Sequence, residues 1–369
     1  MKRRLFDILA CPVCGGEVSL TVLREDEAPA FRPEVVPCQR RCLWKEDKCG
    51  GKGIEQKTGI EDCGRCHARE IVEGSISCPQ GHNFSISRGL LRALSLKKEK
   101  TRAGAGEAEF HNLLGQHGKV KATFDREWRM VDAEKEIYGH SPEEEEEDFF
   151  RRMCVDEKFL KGKLVLDVGC GIGRLADRLS QRNAEVVGVE LSSGVEKAWG
   201  LVGNNPRVHF IQGNLFSLPF RPRVFDYVYS KGVLQYVSDP REAFRQMSRF
   251  VRPGGGLSVT LYPPLPRFFS LLNQGVRAMT LRFPLGLVHS LSLIAVPFLS
   301  PAWKISGVKE RRIPWRDRGH MIFNWLASDY QNFHSTEEVV SWYREEGFAD
   351  IRSSPLPVGV FGRWEGRER

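Results

Sequence analysis

Cysteine is nearly absent beyond residue 78: eight of the ten cysteines in this 369-residue chain lie at or before that point, and only Cys154 and Cys170 follow. A secretory leader is also missing from the reading. The basic start MKRRLFDILACPVC has an apolar run that Asp7 interrupts, and the run is too short. Clustered CxxC pairs in a chain expected to be cytoplasmic therefore read as metal ligands, not disulfides. Internal repeats are absent apart from the paired cysteine knuckles. Charge of one sign does not dominate either. The net +8 permits a nucleic acid or an anionic membrane surface as partner and requires neither. With 41% hydrophobic and 10% aromatic residues, wholesale disorder is excluded, and the length suits two or three domains.

The organisation changes four times along the chain. Residues 1–95 form a cysteine-rich, turn-rich module, and 96–160 read as a polar linker followed by helices. The acidic run PEEEEEDFF (142–150) is expected to be a solvated first helical turn, where carboxylates suit the N-terminal dipole. From 161 to 262 short apolar strands (KLVLDVG, AEVVGVEL, RVHFIQG, FDYVYS, GLSVTLY) alternate with amphipathic helices. That alternation predicts an α/β fold, a doubly wound, Rossmann-like and mostly parallel sheet covered on both faces. Residues 263–334 form an apolar, Pro-punctuated insertion. Residues 335–369 supply a helix, with Ser335 and Glu338 at capping-box spacing, and a closing strand pair.

VLDVGCGIGR (165–174) holds the clearest chemistry. A buried strand runs into Gly169, Gly171 and Gly173, where the backbone can turn sharply and approach a ligand. The helix that follows offers free N–H groups. Asp167 can orient the loop or accept a hydrogen bond from a ligand ammonium. Glu190, 21 residues after Gly169, ends the next strand, where an acid accepts from ribose hydroxyls. Asn214 and Leu215 end the third.

The G-x-G-x-G spacing, Glu190, GNLFSLPF and FVRPGGGL together resemble the class I S-adenosylmethionine-dependent methyltransferases of the type 11 kind, over roughly 150–262. The resemblance implies S-adenosylmethionine as cofactor. Gly169 and Gly171 would line its methionine part, with Cys170 and Gly173 in the same loop. Glu190 would hold the ribose, with Leu191 beside it, and Asn214 and Leu215 would meet the adenine. Lys231 would flank the pocket. The fold fixes no catalytic base, and Gln235 stands where relatives often carry a histidine. The C-terminal stretch from RGHMIF to REEGF resembles that of bacterial small-molecule methyltransferases. It offers His320, Asp329, Tyr330 and His334 as residues able to face substrate, although a structural role is favoured for each.

Residues 283–303 carry no Asp, Glu, Lys or Arg and have the length of a membrane span, but Pro297, Pro301, His289 and several serines argue against one. An interfacial segment flanked by Arg277, Arg282 and Lys304 would make the protein peripheral at a membrane. A helical lid over the carboxyl edge of the sheet is favoured. It would suit a small-molecule or lipid-like acceptor.

The zinc-ligand candidates are Cys11, Cys14, Cys38, Cys42, Cys63, Cys66, Cys78 and His82, with Cys49 to spare. Two pairings are open. The sequential one closes Cys63, Cys66, Cys78 and His82 in one site and Cys11, Cys14, Cys38 and Cys42 in the other. The nested one joins Cys11 and Cys14 to Cys78 and His82 around an inner site. CGRC…SCPQGHNF resembles the zinc ribbon of bacterial ribosomal-RNA guanine-N1 methyltransferases, and LFDILACPVCGGEVSL resembles small zinc-ribbon activators of tRNA and protein methyltransferases. The first resemblance implies RNA binding, which makes rRNA or tRNA the alternative substrate. The ribbon also offers a docking site for a protein partner. The favoured role for its zinc is to fold a segment too small for its own core.

Overall fold

The computed structural model describes residues 1–27, 69–94, 118–132, 136–305, 313–356 and 358–366. Cys38, Cys42, Cys49, Cys63, Cys66 and the linker at 96–104 lie outside them. A 3-10 turn (Arg3–Ile8) precedes β1 (Ser19–Glu27), β2 (Arg69–Ser77), β3 (Asn83–Ser87) and β4 (Leu90–Arg92). Helices α1 (Gly118–Met130), α2 (Pro142–Met153) and α3 (Glu157–Leu160) follow. The core then alternates: β5 (Leu164–Val168), α4 (Arg174–Gln181), β6 (Glu185–Glu190), α5 (Gly194–Val202), β7 (Val208–Gln212), β8 (Phe225–Ser230), α6 (Pro240–Ser248) and β9 (Val251–Thr260). Helices α7 (Arg267–Thr280), α8 (Leu285–Ile305), α9 (Trp315–Ala327) and α10 (Thr336–Glu345) lead to the hairpin β10 (Phe348–Ser353) and β11 (Gly359–Trp364).

The apolar runs of β6 and β8 are buried along their whole length and that of β5 from Val165 on, a pattern that only a sheet covered on both faces satisfies. They sit at the centre of one eleven-stranded sheet ordered β1-β2-β3-β4-β7-β6-β5-β8-β9-β11-β10. From β4 to β9 the neighbours are parallel, and antiparallel pairs close both flanks. The order reverses at β5, so a crevice opens beyond the carboxyl ends of β5 and β8.

The cysteine module is spliced into this sheet through β4, whose Leu91 and Arg92 pair with Ile211 and Gln212 of β7. Apolar side chains of both parts share one cluster, with Leu5, Phe6, Phe84 and Leu91 against Val187, Val189, Ile211 and Phe220. Buried polar groups fasten the same seam. Lys2 Nζ donates to the carbonyls of Gly203 and Val208 at 2.6 and 2.7 Å. Arg4 bridges Asp7 and Glu185 at 2.6 and 3.2 Å, and Glu185 in turn meets His209 at 3.0 Å. Beside them the Ala10 N–H donates to the Pro219 carbonyl at 3.0 Å.

One expectation needs correction. The acidic run is not wholly solvated. Ser141 and Glu144 do form a capping box for α2, but Glu146 is buried and accepts from Arg178 and Arg182 at 2.8 Å each, because α2 packs on α4. In the insertion, α7 and α8 are helical, as the composition suggests. Phe268, Leu271, Ile294 and Phe298 point outward.

Leu91 is fully buried at the seam. Truncating it to alanine is expected to cost about 2–5 kcal/mol by removing buried contacts and leaving a cavity. Because the seam shares one core, the loss should appear as a shift of a single cooperative transition in denaturant titration. Separate transitions for the module and the sheet would contradict that reading.

Candidate functional site

At the end of β5 the chain enters left-handed backbone at Gly169 (φ 89°). A Cβ there would fall 2.2 Å from Val233 Cγ2, so the close approach of the turn after β8 demands glycine. At Gly171, also left-handed, a Cβ would stand 2.9 Å from the indole of Trp128. The Gly169 and Cys170 amides both donate to the Val189 carbonyl, at 2.8 and 3.2 Å, which folds the loop back on β6.

Glu190 ties the two loops together. One carboxylate oxygen accepts from Gly171 N at 3.1 Å and the other from Ser192 N at 2.8 Å. A carboxylate offers about four acceptor positions, so both oxygens retain capacity for ligand hydroxyls. Asn214, also buried, caps the turn Leu215–Ser217 by accepting from Phe216 N at 3.0 Å. Leu191 and Leu215 are half-buried between them. The structure thus gathers Asp167, the glycine loop, Glu190, Leu191, Asn214 and Leu215 at one end of the sheet. Lys231 stands farther out, with its Nζ 3.4 Å from Asp148 and 4.0 Å from Glu145 of α2.

The electrostatics fit a cationic cofactor. Asp167 is buried, and its carboxyl is pushed up to about 7, chiefly by burial and further by the charges of Glu190 and Glu145. Acids therefore crowd the loop, and a sulfonium and an ammonium would relieve them. The glycine cradle supplies the close backbone approach such a ligand needs.

Three neighbours escaped the sequence reading. Glu127 on α1 is buried, has one oxygen without a hydrogen-bond partner, and is pushed up to about 8 by burial, with Glu190 adding to the shift. Trp128, next along α1, lies against Gly171 and Gly194. Both depend on α1 crossing the loops, which Asp125 secures by accepting from Ser193 N at 2.5 Å. Arg92 of β4 is the third. It donates to Gln212 Oε1 at 2.9 Å, and Gln212 Nε2 donates to the Leu191 carbonyl at 3.3 Å.

The C-terminal candidates do not converge. His334 lies 2.9 Å from Glu338 and edge-on to Trp342, and Asp329 lies 3.6 Å from Lys119. His320 packs on His289 with ring centroids 5.6 Å apart, and burial pushes it down to about 4. A cleft of about 540 Å³ lined by Phe150, Cys154, Phe159, Arg352 and Phe361 opens beside α3, before β5 begins. It is remote from the glycine loop, and the chemistry belongs at the other end of the strands.

In the amino-terminal module the structure gathers the outer four candidates of the nested pairing, and the other four lie outside the described residues. Cys11, Cys14, Cys78 and His82 bring their ligand atoms within 4.8 Å of one another. The separations are 3.8 Å for Cys14 Sγ to Cys78 Sγ, and 3.5 and 3.2 Å from His82 Nδ1 to Cys11 and Cys78. A tetrahedral zinc site has edges of about 3.8 Å between sulfurs and about 3.6 Å from sulfur to nitrogen, given its usual bond lengths. The donor set fits zinc.

Asp167 yields a pH test. A carboxyl near 7 is neutral below that pH, and a cation bound against it favours the ionised form. S-adenosylmethionine affinity should therefore rise about eightfold between pH 6 and 7.5. Titration calorimetry across that range checks the slope, which Asp167→Asn should flatten. An equal slope in the variant would remove Asp167 from the site.

Comparison with known proteins agrees with this geometry. The family described as "Methyltransferase domain" matches residues 166–259, from β5 to β9. A demethylmenaquinone methyltransferase of Geobacillus kaustophilus is 27% identical over 261 residues, 68% of this chain and 94% of that protein. A ubiquinone biosynthesis O-methyltransferase of Paracidovorax citrulli is 32% identical over 180 residues, 46% of this chain and 71% of the relative. With the fold and the loop chemistry in agreement, the chain belongs to the class I S-adenosylmethionine-dependent methyltransferases.

Proposed function

We propose that this methyltransferase acts on a small, apolar, ring-bearing acceptor held at the carboxyl edge of the sheet. The observation that carries the reading is an aromatic wall beside the glycine loop. Tyr262, just after β9, packs against Tyr236, Trp325 and Phe333, and Phe124 of α1 meets Tyr236 edge-on. The Tyr236 and Tyr262 hydroxyls lie 2.6 Å apart. A flat ring fits such a wall. In support, the two relatives above are named for methylation in quinone metabolism. An acceptor of that lipid-like class partitions into bilayers, which puts the encounter at a membrane surface.

Within the cofactor site, Glu190 would hold the ribose hydroxyls, while Leu191, Asn214 and Leu215 would enclose the adenine. Gly169, Cys170, Gly171 and Gly173 would line the methionine part, with Asp167 toward its ammonium. Lys231, occupied by α2 acids, would close the rim. When bound, S-adenosylmethionine supplies an electrophilic methyl on its sulfonium. The chain's share is alignment and exclusion of water, tasks for Val233, Trp128 and the aromatic wall. Where the acceptor is a hydroxyl, its proton has to leave, and Glu127 has the protonation range of a neutral-pH base.

Cys11, Cys14, Cys78 and His82 would hold a structural zinc. The ion would lock the Cys11–Gly16 turn, where Gly15 N donates to Cys11 O at 2.8 Å, onto the Cys78–His82 turn. Its work is to stiffen β1–β4 as an added flank of the sheet.

Incubating the protein with tritiated-methyl S-adenosylmethionine and either total RNA or a lipid extract tests the acceptor class. Label is expected in the lipid fraction. Label in RNA would assign the ribbon to RNA binding and overturn the reading. Metal analysis tests the ribbon: Cys78→Ser should carry one zinc fewer per chain than wild type and unfold at lower denaturant, and equal zinc content would contradict the site.

A further inference from the structure

Helix α7 is built inside out. A helix on a water-soluble surface normally turns its apolar stripe inward and its polar face to solvent. Here the polar residues hold the body. Asn273 accepts from Trp325 Nε1 and donates to Gln331 Oε1, both at 2.7 Å. Arg277 is buried and donates to the carbonyls of Trp325, Ser328 and Asp329. Thr280 donates to the Leu326 carbonyl at 3.0 Å. The apolar residues face away: Phe268, Phe269, Leu271 and Leu272 are 74%, 56%, 69% and 55% exposed.

Helix α8 repeats the pattern by different means. Val288, Ser292 and Val296 are buried, while Leu287, Leu291, Ile294 and Phe298 form an exposed stripe at helical spacing. Trp315 adds a further exposed ring at the start of α9. Isolated exposed apolar residues need no explanation, but nine on adjoining elements do.

Charge decides what covers them. No aspartate or glutamate occurs between Glu242 and Glu310, whereas Arg267 and Arg282 at the ends of α7 and Arg316 beside Trp315 are exposed. An isologous contact with a second copy would set the arginines of α7 against one another, on two helices that carry no acid. Phe and Leu flanked by arginine, with tryptophan at the margin, match the requirements of an anionic lipid interface. No helix among the described residues is long and apolar enough to cross a membrane, so the contact lies in the plane of the surface.

We propose that the outward faces of α7 and α8 dock this enzyme on the surface of an anionic lipid bilayer. This names the partner of the lipid-like-acceptor reading and rests on it for its purpose, not for its evidence. The docking is read without acceptor or methyl transfer, so its failure leaves the acceptor assay intact.

The test is co-sedimentation of the full chain with phosphatidylcholine vesicles, with and without 30% phosphatidylglycerol. Binding to the anionic vesicles is expected to exceed binding to neutral ones by at least about tenfold and to fall with salt. Phe268→Glu with Leu272→Glu should abolish it, and Arg267→Glu with Arg282→Glu should remove the anionic preference. S-adenosylhomocysteine affinity should be unchanged in both, which confirms that they fold. Absence of vesicle binding, binding insensitive to both pairs, or self-association that hides the same residues in sedimentation analysis would each overturn the proposal.

Discussion

One carboxylate holds the cofactor end of this molecule together. Glu190 closes β6 and accepts from the amide of Gly171 in the preceding loop and of Ser192 in its own. Those two contacts set the glycine turn against the second strand, and a loop rich in left-handed backbone does not hold that shape unaided. Because the anion is charged, each bond is stronger than one between neutral groups. Burial, with the same charge adding to it, raises the affinity of Asp167 and Glu127 for protons, so the crevice is acidic and partly protonated before any ligand arrives.

The ribbon reaches that carboxylate by a short path. Its strand β4 pairs with β7, Arg92 holds Gln212, and Gln212 holds the carbonyl of Leu191, the residue after Glu190. The cysteine module, far from the chemistry in sequence, is thus one hydrogen-bonded side chain away from the cofactor loop. Its cluster of Cys11, Cys14, Cys78 and His82 joins residues 11–14 to 78–82, just ahead of the strands β3 and β4 that lead to Arg92. The cysteine module in front of the catalytic domain is here a flank of the catalytic sheet.

The strands from β5 to β9 were legible in the sequence because doubly covered parallel strands are continuous apolar runs. The glycine loop and Glu190 were legible because their spacing lies within one strand-helix-strand unit. The cap at Ser335 followed from the same local chemistry. Legibility ended where partners come from far along the chain. Ligand pairing across 60-odd residues, the burial of Glu146, and the crossing of α1 that brings Glu127 and Trp128 to the loop all depend on packing between elements. The insertion shows the same limit in another form. Its composition announces apolar helices, but an apolar stripe reads the same whether it faces a core or a bilayer, and only the inward bonds of Asn273 and Arg277 show which way α7 is turned.

The central claim is that S-adenosylmethionine sits in the crevice spanned by Glu190. Titration calorimetry with S-adenosylhomocysteine on wild type and on Glu190→Ala tests it directly. A loss of at least about tenfold in affinity is expected, the scale of charged hydrogen bonds removed from a buried site. Unchanged affinity in a folded variant would contradict the assignment.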